Sequence, residues 1–338
     1  MNDVHQVKSN SWVKKYIDRW SLFADEYPTE AQAIVMTVVL AVITLIITAI
    51  APRFLAPSNL RVIISHTAAY WVLGMAMTLV ITTAGIDISV GAQMGLIVVV
   101  TGMALNRWGF SVPVAMGVAL VTGALTGAFN SVFICLFKVP PIIVTLGGFS
   151  FFRGIAYVII RHEILFNFPP AFLAIARSRI FGLPPSVYLG LVWIGVGCYL
   201  LNHTAVGRHI TAVGGNEEAA QMAGISSAKV KCLVYTLMGI SVGMASIIWM
   251  GRMNAAQAQI GYGLEMHVIA TVVIGGTSLF GGRGLMVGTF IGALFLGVLE
   301  NGLLVIGLPW FVQQVVLGAI FIGVVVFWTN RERKDAKN

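Results

Sequence analysis

The stretch Gly207–Ser227, GRHITAVGGNEEAAQMAGISS, is the longest clearly polar interruption between the apolar runs of this chain. Asn216 can cap a helix there, Glu217 and Glu218 put negative charge on its first turn, and Gly224 suits a left-handed stop. The helical piece, Glu217–Ala223, would be only about 10 Å long at 1.5 Å per residue. A helix that short is unstable alone in water and needs a surface to pack against. The side chains of Ala219, Ala220, Met222 and Ala223 are expected to be exposed and to form a shallow docking surface. The segment reads as a knob that projects from a membrane domain and fits into a partner protein.

What surrounds the knob is apolar. Hydrophobic residues make up 58% of 338 and charged residues only 10%, with a mean hydropathy of +0.89. Soluble domains carry about 25% charged residues, so the expected class is an all-α, polytopic membrane protein embedded in the lipid bilayer. The formal charge of +8 is to be read through membrane topology and implies no nucleic-acid partner. The first 20 residues are polar and basic for too long to form a cleavable signal. Cys135, Cys198 and Cys232 lie in or beside apolar runs without metal-type spacing, and read as small buried apolar residues.

A bilayer core of about 30 Å needs about 20 apolar residues as helix. On that basis the spans are 31–51, 62–84, 90–105, 113–135, 142–160, 187–201, 230–250, 265–278, 285–306 and 311–327, about ten transmembrane helices. The third, sixth and eighth are short. The third and eighth also carry polar residues, so they are expected to line a path or to be partly re-entrant, which is tolerated only where protein or water surrounds them. The tails carry Lys8, Lys14, Lys15, Arg19, Arg331, Arg333, Lys334 and Lys337, which all fall inside only if both termini are cytoplasmic. The expected organisation is a cytoplasmic tail over 1–30, a permease domain over 31–328 with its cytoplasmic loop at about 203–229, and a second tail over 329–338.

Asp87, in AGIDISVG at the junction of the second and third spans, admits two readings. Its carboxylate caps free amides of the third helix at the bilayer surface, or it borders a permeation path. Asp87, Ser89 and Asn130 are the path candidates. Lys138-Val-Pro-Pro141 reads as a rigid turn at a helix start. The segment Arg161–Pro185 is the longest predicted external loop, a surface-lying piece or a docking site for an external protein. Glycines four apart at Gly123/Gly127, Gly239/Gly243 and Gly288/Gly292 read as close helix packing within one subunit, with a subunit interface as the alternative. A shared pattern, GGxSxFxG at Gly147–Gly154 and Gly275–Gly282, hints at an internal repeat.

No catalytic constellation emerges. Gly276–Gly282 has phosphate-loop glycine spacing but lacks the Lys-Ser/Thr that completes it, and no HExxH occurs. Glu265 and Glu300 are two carboxylates in or near late spans, too few to argue a proton relay. No metal and no cofactor are expected on this chain.

From about Leu55 onward the sequence resembles the permeases of bacterial ABC importers for monosaccharides, the ribose, galactose, arabinose and xylose group, which are related to branched-chain amino-acid permeases. The resemblance rests on AGIDISVG (84–91), FKVPPIIVTLGG (137–148), RGIAYVI (153–159), TAVGRHITAVGGNEEAAQMAGI (204–225), GLEMHVIATVVIGGTSLFGGRG (263–284) and GTFIGALFLGVLENGL (288–303). Asn130-Ser131 departs from the Asn-Gly usual in such relatives and is expected to give a different local turn. The resemblance implies two permease subunits, identical or different, two ATP-binding subunits that hold ATP and magnesium, and a periplasmic sugar-binding protein. It implies that Gly214, Gly215, Asn216, Glu217, Ala219, Ala220 and Gly224 form the loop that couples to the ATPase. A branched-chain amino-acid or signalling-furanose permease and an ATP-independent secondary transporter are the competing readings. An amino-acid carboxylate would favour helix N-termini or a fixed cation in the path, and no buried Arg or Lys is evident from the sequence.

Overall fold

The computed structural model describes residues 28–335; Lys8, Lys14, Lys15, Arg19 and Lys337, on which the orientation argument drew, lie outside them. In chain order the helices are α1 (Pro28–Ile50), α2 (Pro57–Thr82), α3 (Val90–Asn106), α4 (Val112–Cys135), α5 (Pro141–Ile160), α6 (Pro170–Arg177) and α7 (Pro185–His203). They continue as α8 (Ala205–Gly215), α9 (Glu217–Met222), α10 (Ser227–Met253), α11 (Leu264–Ile274), α12 (Met286–Ile306) and α13 (Trp310–Asp335). Prolines open several of them, Pro57, Pro141, Pro170 and Pro185 at the first position, where a missing N–H costs nothing. The turn expected at Lys138–Pro141 is one such start.

Each predicted span falls on a helix. Seven of these, α1, α2, α4, α5, α7, α10 and α12, are long and apolar enough to cross a membrane. The protein is an all-α, multi-pass membrane protein. The sixth predicted span is longer than expected, because α7 runs 19 residues from Pro185. The eighth is shorter: α11 has 11 residues, about 16 Å, and the chain after it turns through left-handed Gly276, Gly281 and Gly282. Helix α13 continues past residue 328 to Asp335.

The central element is α2, whose residues from Thr67 to Thr82 are buried on every face, as a helix ringed by other helices must be. Helix α10 lies against α4, and the paired glycines meet there. A Cβ on Gly239 would strike the carbonyl oxygen of Gly123 and come within 2.8 Å of the Gly127 amide nitrogen. The two backbones are therefore in contact, the small-residue packing that the four-residue spacing implied.

The 161–184 segment is folded onto the bundle. Leu165–Phe166 pairs antiparallel with Ala255–Ala256, Phe172 of α6 is fully buried, and Arg177 donates from Nε to the Gly251 carbonyl at 3.1 Å. Other readings are corrected. Asn130 and Ser131 make no turn: both lie inside α4 and are buried. The GGxSxFxG pair is no structural repeat, since Gly147–Gly154 is continuous helix while Gly275–Gly282 is mostly turn. The cysteines are less enclosed than expected, Cys135 and Cys198 half-buried and Cys232 exposed.

Candidate functional site

Helix α9 forms from local chemistry. Asn216 is extended, and its Oδ1 accepts the Ala219 amide at 2.9 Å. Glu217 and Glu218 occupy the first turn, where carboxylates favour the free amides. Gly224 ends the unit at φ +83°; its amide reaches the Gln221 carbonyl and the Ile225 amide reaches that of Ala220, both at 2.9 Å. Six residues of helix need external support, and the neighbours provide it. Lys231 Nζ on α10 lies 2.6 Å from Glu217 Oε2, and Gln221 Nε2 donates to Ser227 Oγ at 3.1 Å.

The exposed face comprises Gly215, Asn216, Glu218, Ala219, Ala223 and Met222, the last 84% exposed. Ala220 is not part of it. It is buried at 5% because it is on the side of α9 that rests on the bundle. On the other flank, Gly214 abuts the end of α2. A side chain there would strike the Thr82 carbonyl oxygen and the Gly282 amide, which are themselves hydrogen-bonded at 2.9 Å. Beside α9 a cleft of about 360 Å³ opens, lined by Lys138, Pro140 and Pro141 of the α4–α5 turn and by Glu217, Gln221 and Lys231.

Asp87 is fully buried, not at a surface. Its Oδ1 accepts the Ser89 amide at 2.9 Å and the Ser89 hydroxyl at 2.6 Å, and its Oδ2 accepts from Gln93 at 3.1 Å. Ser89 Oγ also accepts from Gln93 and from Asn130 Nδ2, at 2.8 and 2.9 Å. Thr126 closes the network by donating to Gln93 Oε1 at 2.9 Å. The structure thus brings Asp87, Ser89 and Asn130 together and adds Gln93 and Thr126, which sequence reasoning missed. Their signal was helical spacing, Ser89/Gln93 on one helix and Thr126/Asn130 on another, each four apart. Asn130 Oδ1 has no hydrogen-bond partner.

A buried cation is present after all. Arg153 of α5 donates from Nη2 to the Gly91 carbonyl at 2.9 Å and from Nη1 to those of Ile260 (3.1 Å) and Ala258. These carbonyls belong to the start of α3 and to the irregular 254–263 segment. Irregular backbone at membrane depth needs partners from the protein itself, and the guanidinium supplies them. Glu265, 7% exposed, lies beside Gly91 with Oε2 unpartnered.

A multi-pass helical bundle with broken elements around buried polar groups and a braced polar knob defines a membrane transport subunit. The chain matches, over residues 59–325, the family described as the permease component of the branched-chain amino acid transport system, and it belongs to that family. It is 36% identical over 303 residues to the ribose import permease protein of Escherichia coli (strain K12), covering 86% of this chain and 91% of that one. It is 32% identical over 281 residues to the autoinducer 2 import system permease protein of Enterobacter sp. (strain 638), covering 83% and 82%. No solved structure matches. Membership of an ABC importer permease family implies ATPase and binding-protein partners in general.

Proposed function

We propose that this chain translocates a monosaccharide, and that α9 is the element through which a separate ATP-binding subunit drives it. The observation that carries the second point is the build of α9, capped at both ends, tied to α10 by Glu217–Lys231, yet exposing Met222 and a small polar face. A rigid projection with an apolar tip fits a groove on a partner, and the adjacent cleft leaves room for that partner's side chains. ATP and magnesium would reside on the ATPase; this chain supplies the lever. Closure of the ATPase displaces α9, and the ion pair and the Gln221–Ser227 bond carry the displacement into α10.

The proposal includes ten spans with both termini cytoplasmic, residues 1–30 and 329–338 as tails, a loop at about 203–229 facing the ATPase, a second permease subunit, identical or different, and a periplasmic sugar-binding protein. Asp87, Ser89 and Asn130, with Gln93 and Thr126, are placed at the wall of the path, where Asn130 Oδ1 is the acceptor still able to gain a partner. Arg153 does not itself offer a fixed cation to a carboxylate, because its two terminal nitrogens are engaged by backbone carbonyls. The names of the autoinducer 2 relatives keep a signalling furanose as the second reading.

The test replaces Cys135, Cys198 and Cys232 by alanine and introduces Met222→Cys. Membrane-impermeant thiol reagent should label the new cysteine from the cytoplasmic face, and the ATPase subunit should protect it. Labelling from the periplasmic face alone would remove α9 from this role. Accumulation of sugar by the chain without any ATPase subunit would remove the importer reading itself.

A further inference from the structure

Glu300 of α12 is the centre of a second polar cluster, apart from Asp87 and from the knob. Its Oε1 lies 3.3 Å from His267 Nε2 on α11, its Oε2 lies 3.6 Å from His66 Nδ1 on α2, and the Tyr70 hydroxyl is 3.5 Å from both oxygens. Trp249 of α10 completes the group, its ring centroid 5.8 Å from His66 and 6.3 Å from Tyr70, both edge-on. Four helices thus deliver one carboxylate, two imidazoles, a phenol and an indole to one place, with the Arg252 guanidinium of α10 alongside, its Nη1 donating to the Ser65 carbonyl at 3.4 Å.

The contacts to Glu300 are long for hydrogen bonds, which leaves its carboxylate lone pairs free to accept from a further donor. His267 Nδ1 donates to the Gly263 carbonyl at 2.9 Å, which holds the ring with Nε2 toward Glu300. The cluster is also partly open: the side chains of His66, His267 and Glu300 are 30%, 18% and 16% exposed. Ionisable groups inside a membrane domain open toward water or protein, not lipid, and mark substrate routes. Its position, at His66 in the first half of α2 and at the far end of α10 from Lys231, separates it from the ATPase-facing knob.

We propose that Glu300, His66, His267 and Tyr70, with Trp249, form a contact site for adjacent hydroxyl groups of the transported sugar. A carboxylate has about four lone-pair sites and accepts from two neighbouring O–H groups at once; the imidazole and phenol supply the complementary acceptor and donor; the indole ring receives the apolar C–H face. The proposal rests on the monosaccharide reading above.

The test measures uptake in a strain stripped of its own pentose and hexose importers and complemented with the chain, its ATPase and its binding protein. D-ribose, D-xylose, L-arabinose and D-galactose are offered first, then monodeoxy analogues of the sugar that accumulates. Because the binding protein is the same throughout, any change in discrimination between sugar and analogue belongs to the permease. Glu300→Gln should lower uptake about tenfold, the loss of a hydrogen bond to a charged group, and shift the ratio for at least one deoxy analogue by a similar factor. Tyr70→Phe should shift it about threefold. Ratios within twofold of the parent for every analogue would overturn the proposal, whatever the uptake. So would loss of folded chain in both variants, since the cluster would then be a brace. If the unsubstituted chain accumulates none of the four sugars, the monosaccharide reading falls and takes this one with it.

Discussion

The ion pair between Glu217 and Lys231 sets how firmly α9 is held, and its strength can be worked out. The charged atoms are 2.6 Å apart, with Lys231 16% exposed and Glu217 43% exposed. Fully exposed pairs contribute about 0.2–1 kcal/mol, so Glu217→Gln, with the partner largely enclosed, should loosen α9 by about 1 kcal/mol. That is about a fivefold rise in the open population, at 1.4 kcal/mol per factor of ten. Glu217→Lys goes further. It opposes two ammonium groups and puts a cation on the first turn, a dipole penalty of about 0.3–1 kcal/mol on its own. Adding Lys231→Glu restores the pair and leaves the dipole penalty, about two- to fivefold. The assay is amide hydrogen exchange on the chain in detergent, read at Ala223, Gly224 and Ile225, whose amides bond within the α9 unit. Exchange there should run about fivefold faster in Glu217→Gln, faster still in Glu217→Lys, and should fall back to about two- to fivefold above the parent in the swap. Equal exchange at these amides in the parent and in Glu217→Lys would refute the idea that this pair holds the knob. A swap no better than the single reversal would show that charge at the helix start, not pairing, is what matters.

Gly239→Val should destabilise the bundle by about 1–3 kcal/mol through overpacking, because the new side chain meets the backbone of Gly123 and Gly127. Gly195→Val, where nothing lies within 4 Å, is the control; thermal unfolding in detergent should separate the two, and equal melting would dissolve the α4–α10 contact. Asp87→Asn sets an NH₂ group among donors that a carboxylate now receives, at a cost of about 1–3 kcal/mol, so folded yield and uptake should fall together. Unchanged yield with lost uptake would instead make the Asp87 charge act on the cargo.

The knob was legible because its signals are local: a cap, two acids and a glycine within nine residues define α9 without knowledge of what surrounds it. The exposure of Ala220 was misjudged for the complementary reason. Which face of a six-residue helix is covered depends on how α10 and α8 hold it, and no periodicity develops over so few residues. Arg153 was invisible as a buried cation because its partners are backbone carbonyls as far as 107 positions away, and carbonyls leave no mark in a sequence. Gln93 and Thr126 carried a four-residue spacing with Ser89 and Asn130, but hydroxyls and amides at that spacing occur in many helices. Asn130-Ser131 was placed in a turn on resemblance alone, although the unbroken apolar run from Pro113 to Cys135 already implied helix through it.

Helix α10 ties these parts into one mechanical argument. Its 27 residues extend about 40 Å, with Lys231 gripping α9 near one end and Trp249 beside the Glu300 cluster near the other. Between them it meets α4 through Gly239 and Gly243, where the backbones touch. A contact of that kind resists separation but permits sliding or pivoting without repacking. If α9 is the coupling element proposed above, its displacement would turn α10 about the glycine crossing and move Trp249 relative to His66 and Tyr70 on the central helix α2. The aromatic contacts there are edge-on at 5.8 and 6.3 Å, a geometry held by weak forces of about 0.5–1.5 kcal/mol each. Such contacts yield readily when a lever ion-paired at its far end is pushed. The polar cluster on this view is the part of the path most directly exposed to the nucleotide cycle of the partner.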